Sequence, residues 1–285
     1  MTTPAGSDTT PAGSDTTPAG SDASDSSSPP TIAACQMAVA DLDVDANLAA
    51  IEERVADLPS SVDVALFPEY ALTGFVADER LRDVALARDG EVLARLRDLA
   101  AESDTALLVG FVEEAREDDS VVHQYNAAAY LHPDGDAAVY RKRHLWATER
   151  EVLEPGDERV TVETPVGTAG LLTCYDLNFV GESAAFATPE VDALFVVGAW
   201  PAAHSQNWKL LLRARALDGV RWVVGAGRTG EKTVGDSTEY AGRSRVVRPD
   251  GSVQAGLNRS DRDLLAELDP AVLRECREFI PVLED

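Results

Sequence analysis

Lysine is nearly missing from this chain. Among 25 basic residues in 285, lysine occurs three times, at Lys142, Lys209 and Lys232, and the other 22 are arginine. Basic charge is scarce altogether, since 50 Asp and Glu leave a net charge of −25. Such a surface excludes nucleic acid and anionic lipid as partners, because both are gripped through cationic side chains. No apolar run approaches the roughly 20 residues of a membrane helix. The three cysteines, Cys35, Cys174 and Cys276, are odd in number and far apart. They form neither a disulfide framework nor a paired zinc motif, so a reducing interior is expected. The N-terminus lacks the charged and then apolar stretches of a signal peptide, and the cytoplasm is the expected compartment.

What is present points to a protein adapted to a salty cytoplasm. Acidic residues recur throughout, as in Glu113-Glu114 and from Asp261 to Asp263, so the charge is no single acidic tail. Self-repulsion of this kind keeps a protein soluble where concentrated salt screens charge to a few ångströms. Residues 2–22 repeat Thr-Thr-Pro-Ala-Gly-Ser-Asp three times. Nothing in them can be buried, so 1–30 is expected to be a disordered tail, and 31–285 the folded domain.

Strand-like apolar runs occur at 31–37, 62–67, 105–112, 127–131, 137–141, 169–173, 193–197, 222–226 and 245–247. Many lack polar alternation, the mark of strands covered on both faces. Helical stripes alternate with them at 45–58, behind Asp45 as the expected cap, and at 90–102 and 205–218. His132-Pro133-Asp134-Gly135 and Arg248-Pro249-Asp250-Gly251 read as hairpin turns, so the α/β sheet system is mixed.

Three positions carry the chemistry. Cys174 ends the run Gly170-Leu171-Leu172-Thr173 before a turn that is expected to expose its sulfur to backbone N–H groups and ease its ionisation. A lone cysteine there is more often a small buried hydrophobe. Glu69 follows Val64-Ala65-Leu66-Phe67-Pro68, at the border of a buried strand where a carboxylate can serve as general base; most glutamates in such loops are simply solvated. Lys142 stands in Tyr-Arg-Lys-Arg-His, which reads either as a surface patch or as the cation that stabilises an oxyanion.

Phe-Pro-Glu-Tyr-Ala-Leu-Thr-Gly-Phe (67–75), Tyr-Arg-Lys-Arg-His-Leu (140–145) and Leu-Leu-Thr-Cys-Tyr-Asp-Leu-Asn-Phe (171–179) together resemble the signature regions of the nitrilase superfamily of carbon–nitrogen hydrolases. The resemblance covers most of 31–285. It implies a four-layer α-β-β-α sandwich with two mixed β-sheets, commonly paired into homodimers or larger homo-oligomers. It also implies Glu69 as base, Lys142 as stabiliser of the tetrahedral intermediate and Cys174 as nucleophile. Glu149, with Glu151 as the runner-up, matches the family's further glutamate. Tyr175 would supply an oxyanion N–H, while Asn178 and Trp200 would help shape the substrate pocket. The implied reaction is cysteine-dependent hydrolysis of a small amide or N-carbamoyl amine through a thioester, with no metal or organic cofactor.

The chain departs from the family pattern after the nucleophile. Asn178 replaces the usual arginine, and Val180-Gly181 stand where one proline is usual, displacing Glu182 by one. A carboxylate clamp would have to come from elsewhere, with Arg143, Arg228 and Arg243 as candidates, each more commonly a surface pairing residue. Nitrile hydrolysis is the weaker alternative, because Cys-Tyr-Asp follows the amidase rather than the nitrilase pattern. A non-catalytic, partner-binding relative is the other, and retention of all three positions opposes it. Removal of residues 2–28 is expected to leave steady-state kinetics unchanged; a large loss of kcat/KM in the truncated chain would give the tail a role in the reaction.

Overall fold

The structure is a computed structural model that describes residues 28–116 and 122–283. Most of the expected tail, 1–27, lies outside the described residues. The first sheet is built from β1 (Thr31–Gln36), β2 (Val64–Leu66), β3 (Ala106–Arg116), β4 (Val122–Leu131), β5 (Ala137–Arg141) and β12 (Arg262–Glu267), in the order β12-β1-β2-β3-β4-β5. The second contains β6 (Thr161–Thr164), β7 (Gly167–Thr173), β8 (Ala193–Gly198), β9 (Trp222–Gly227), β10 (Arg245–Val247) and β11 (Val253–Gly256), in the order β11-β10-β9-β8-β7-β6. Each sheet has three adjacent parallel strands, β1-β2-β3 and β7-β8-β9, flanked by antiparallel ones.

Alternation along the strands makes the layers. In β1, Ile32 and Ala34 face the second sheet, where they join Leu171, Phe195, Val224 and Trp222 in the inter-sheet core. Ala33 and Cys35 point the other way, toward Ile51 and Val55 of α1 (Val44–Asp57) and Leu93 and Leu96 of α2 (Glu91–Ser103). On the far side, Leu194 and Val196 pack with Trp208 and Leu212 of α5 (Ser205–Leu217). The result is the expected α-β-β-α sandwich, because a side-chain period of two gives every inner strand two apolar faces to cover. The remaining helices are short or terminal: α3 (Glu149–Val152), α4 (Val180–Ala185) and α6 (Pro270–Phe279). Among the described residues, no helix is long and apolar enough to cross a membrane.

Some local readings change. The cap of α1 is Asp43 rather than Asp45, since its carboxylate accepts from Ala46 N at 3.0 Å while Asp45 lies inside the first turn. Both hairpins form, the first joining β4 to β5 with Gly135 at φ +98 and the second joining β10 to β11. Strands β6, β11 and β12 and helix α6 were not among the expected elements; the three strands are edge or near-edge strands with several exposed residues.

One charge pair ties the two sheets together. Arg228, at the end of β9, donates to both oxygens of Asp41 at 2.9 Å, and both side chains are fully buried. The expected surface role for Arg228 is therefore corrected. Asp41 also accepts from the N–H groups of Phe75 and Thr233 at 3.0 and 2.8 Å. Although burial raises the Asp41 pKa, Arg228 and these N–H groups outweigh it and hold the carboxyl below its ordinary value. Arg228→Met strands that carboxylate without its cation, so chemical denaturation is expected to show a loss of roughly 3–5 kcal/mol. A loss under about 1 kcal/mol, typical of exposed pairs, would contradict the buried pairing.

Candidate active site

Strand β2 runs out at Leu66, and the chain turns through Phe67 and Pro68 to deliver Glu69, which is 1 % exposed. The turn packs directly on β3 because Gly110 has no side chain; a Cβ there would lie 2.4 Å from Pro68 O and 2.7 Å from Glu69 Cα. Tyr70 takes the left-handed conformation at φ +61. Lys142 immediately follows β5 and its N–H donates to Asn126 O at 2.7 Å. Cys174 immediately follows β7, at φ +47, and opens a 3-10 turn over Cys174–Asn178. A non-glycine residue in that region costs on the order of 1–3 kcal/mol, a strain that tends to be kept where it aims a functional group.

Asp176 links the last two segments. Its carboxylate accepts from Thr173 N at 3.0 Å and Tyr140 OH at 2.7 Å, and from His144 N at 3.0 Å. The turn that carries Cys174 is thereby fixed to the segment that carries Lys142.

The three predicted side chains meet. Lys142 Nζ donates to Glu69 Oε1 at 2.8 Å and to both oxygens of Glu149 at 2.8 Å. Glu69 also accepts from Asn126 Nδ2 at 2.8 Å and, through its other oxygen, from Ala199 N at 2.6 Å. Glu149 is further held by Tyr70 OH, by Asn126 Nδ2 at 3.0 Å and by Trp146 N at 2.6 Å. The Cys174 thiol lines the same cavity and lies close enough for the charges of Glu69 and Lys142 to act on it. Of the two candidate auxiliary glutamates, Glu149 contacts Lys142, whereas Glu151 is exposed and lines a different surface depression.

Burial alone would drive the proton off Lys142, but Glu69 and Glu149 outweigh it and hold the ammonium well above the ordinary lysine value. For Cys174 the balance goes the other way. Burial pushes the thiol well up, Glu69 adds to the rise, and Lys142 offsets only part of it. The expectation of an exposed, easily ionised sulfur is therefore corrected: Cys174 is 8 % exposed, and its surroundings push the thiol pKa up rather than down.

Glu69, Lys142, Glu149 and Cys174 line one cavity of about 380 Å³, a size suited to a small molecule. Tyr175, Asn178 and Trp200 line it as well. Asn178 donates to Tyr175 O at 3.3 Å, and Trp200 donates to His204 O at 3.0 Å. Trp208, in contrast, is fully buried in the core beneath Trp200. None of the three arginine candidates reaches the cavity wall. Arg143 pairs with Glu182, which also binds His144 and Arg159, and Arg228 is spent on Asp41. The cation missed in the sequence is Lys232, which lines the cavity beside Phe75. Asn126 was missed too, and its only signal was a polar residue leading a buried run of alanines in β4.

The chain is similar to known proteins along most of its length. The family described as carbon-nitrogen hydrolase matches residues 31–278. An (R)-stereoselective amidase from Pseudomonas sp. is 31% identical over 257 residues, covering 89% of this chain and 90% of the relative. Omega-amidase YafV from Escherichia coli is 32% identical, covering 86% and 91%. Among solved structures, a CN-hydrolase superfamily protein from Xanthomonas campestris superposes with a TM-score of 0.79 at 27% identity, covering 90% of this chain and 97% of that one.

A thiol whose pKa is raised carries less thiolate at every pH between 7 and 9 than free cysteine does. Alkylation of Cys174 by iodoacetamide, followed by peptide mass spectrometry, is therefore expected to climb about tenfold per pH unit across that range. A plateau beginning below pH 7 would instead indicate a preformed thiolate–ammonium pair.

Proposed function

The chain belongs to the carbon–nitrogen hydrolase family, and we propose that Cys174, Glu69 and Lys142 carry out its amidase-type reaction. The observation that carries this reading is the buried ammonium of Lys142, 2.8 Å from Glu69 and 2.8 Å from Glu149, beside a thiol on the floor of one cavity. That the chain is an amidase-type hydrolase of carbon–nitrogen bonds follows from the family and its amidase relatives.

Glu69 accepts the thiol proton as Cys174 Sγ attacks the amide carbonyl, so the charge on sulfur never has to persist in a buried site. The carbonyl oxygen becomes an oxyanion. In this assignment Lys142 Nζ and the N–H of Tyr175, in the 3-10 turn on the cavity wall, stabilise it. Collapse breaks the carbon–nitrogen bond, and the proton held by Glu69 leaves with the amine or ammonia. A water molecule then enters, gives a proton to Glu69 and attacks the thioester carbonyl. Release of the carboxylic acid returns the proton to sulfur. Glu149 keeps Lys142 charged and aimed throughout, which makes it a positioning residue.

The setting is part of the proposal. A net charge of −25 with only three lysines supports function in a salt-rich cytoplasm. Leu210, 64 % exposed on α5, and Phe279, 85 % exposed at the end of α6, support association with a second copy.

Cys174→Ala is expected to lower ammonia release from small amides by more than about a thousandfold while leaving the circular dichroism spectrum unchanged. Rapid-quench mass spectrometry of the wild type should reveal a cysteine-linked acyl group at 174, heavier than the free protein by the substrate less ammonia. Undiminished turnover in the alanine variant would exclude the thioester route.

A further inference from the structure

Two of the three lysines reach the same cavity, yet their charges are disposed of differently. Lys142 is 1 % exposed and saturated by Glu69 and Glu149. Lys232 is half-buried, and among the described residues its ammonium makes no hydrogen bond or ion pair. It lies 5.9 Å from the Phe75 ring centroid. Phe75 stacks on Tyr70 at 4.9 Å, and Tyr70 OH reaches Glu149. One wall therefore runs from the free cation to the buried centre.

The ribbon carrying Lys232 is held in place rather than left loose. Lys232 N donates to Thr238 O and Tyr240 N to Gly230 O, both at 2.8 Å, pairing residues 230–240 back to back. The next residue, Thr233, is clasped by Asp41: Thr233 N donates to Asp41 Oδ2, and Asp41 N donates to Thr233 Oγ1, each at 2.8 Å. Arg228, which anchors Asp41, also lies over the Tyr240 ring at 4.1 Å. The inter-sheet pair thus sets the position of the ribbon. Two acids are near: Asp236, which lines the cavity from the same ribbon, and Asp78, whose carboxyl senses the Lys232 charge. Neither forms an ion pair with it.

Resting on the amidase reading, we propose that Lys232 binds a carboxylate on the substrate, so that the favoured substrates are short molecules with an amide or carbamoyl nitrogen at one end and a carboxylate at the other. Among the described residues that line the cavity, the other ammonium, Lys142, is already held by Glu69 and Glu149 and Asn178 is neutral, while Arg143 and Arg228 lie outside the wall and are paired elsewhere. An ammonium suits this task because it is a compact point charge on a flexible stem, able to meet a carboxylate without a fixed fork geometry.

Glutaric acid monoamide and pentanamide differ only in the terminal carboxylate. In Lys232→Met the ratio of their kcat/KM values, acid amide over neutral amide, is expected to fall about ten- to a hundredfold, the worth of a charge-assisted hydrogen bond, with most of the change in KM. Lys232→Arg should retain much of the ratio, and Lys232→Glu should turn the preference toward 5-aminopentanamide. Calorimetric binding of glutaric acid monoamide to the Cys174→Ala protein should weaken by a similar factor when Lys232→Met is added, a measurement that needs no turnover. Equal ratios in wild type and Lys232→Met, or no binding to Cys174→Ala, would overturn the assignment and leave the amidase reading standing. Lys232-dependent binding without hydrolysis of either amide would do the reverse.

Discussion

The site depends on one buried ammonium held between two carboxyl groups. Lys142 is fully desolvated, and only its contacts with Glu69 and Glu149 make its charge tolerable there. Those contacts set everything else. Asn126, Tyr70 and the N–H groups of Ala199 and Trp146 take up the remaining lone pairs of the two acids, as an enclosed polar cluster requires. The same acids raise the pKa of the neighbouring thiol. The surroundings of the sulfur therefore favour its protonated form, and in the proposed reaction Glu69, on the same cavity wall, takes that proton. A carbonyl oxygen that becomes negative meets an ammonium whose position is fixed before the reaction starts, so little reorganisation is needed at the barrier.

The sandwich makes this cluster possible by ending several strands on one rim. Glu69 follows β2 and Lys142 follows β5, both in the first sheet; Cys174 follows β7 and Ala199 follows β8, in the second. The inter-sheet core of Ile32, Leu66, Phe195 and Trp222 fixes the separation of the sheets, and with it the reach from Cys174 to Glu69. Bonds that cross the gap, from Ala199 N to Glu69, from Tyr140 OH to Asp176 and from Arg228 to Asp41, lock the register. Carboxyl ends of parallel strands are a favoured place for ligand sites for this reason: the backbone diverges there while its anchoring is still rigid.

What was legible in the sequence follows from what a pattern can encode. The inner strands β1, β2, β3, β7, β8 and β9 are apolar on both faces, and their composition announced them. Edge strands such as β6 and β12 carry threonine, arginine and aspartate toward solvent and leave no such trace. Glu69, Lys142 and Cys174 were readable because each sits at a strand terminus within a distinctive local string. Asn126 and Lys232 were not, because one is a single amide in a strand and the other lies in a polar ribbon whose placement depends on Asp41, 192 residues from Thr233 in the chain. The ionisation of Cys174 was misjudged for the same reason: the local turn suggested exposure, whereas packing of two sheets around it decided burial.

The scarcity of lysine sharpens the reading of the cavity. A chain that meets nearly all its need for positive charge with arginine has not done so at 142, and geometry shows why substitution there would fail. The three N–H directions of an ammonium radiate from one atom, so Lys142 can touch Glu69 Oε1 and both oxygens of Glu149 from a single point. A guanidinium spreads its charge over a plane several ångströms wide and would need a larger cavity to satisfy its five donors. Arginine serves instead where a flat bidentate partner is available, as between Arg228 and the two oxygens of Asp41. At these two sites the choice of cation thus follows the shape of the acceptor, with Arg228 clamping the scaffold and Lys142 supplying a point charge at the centre.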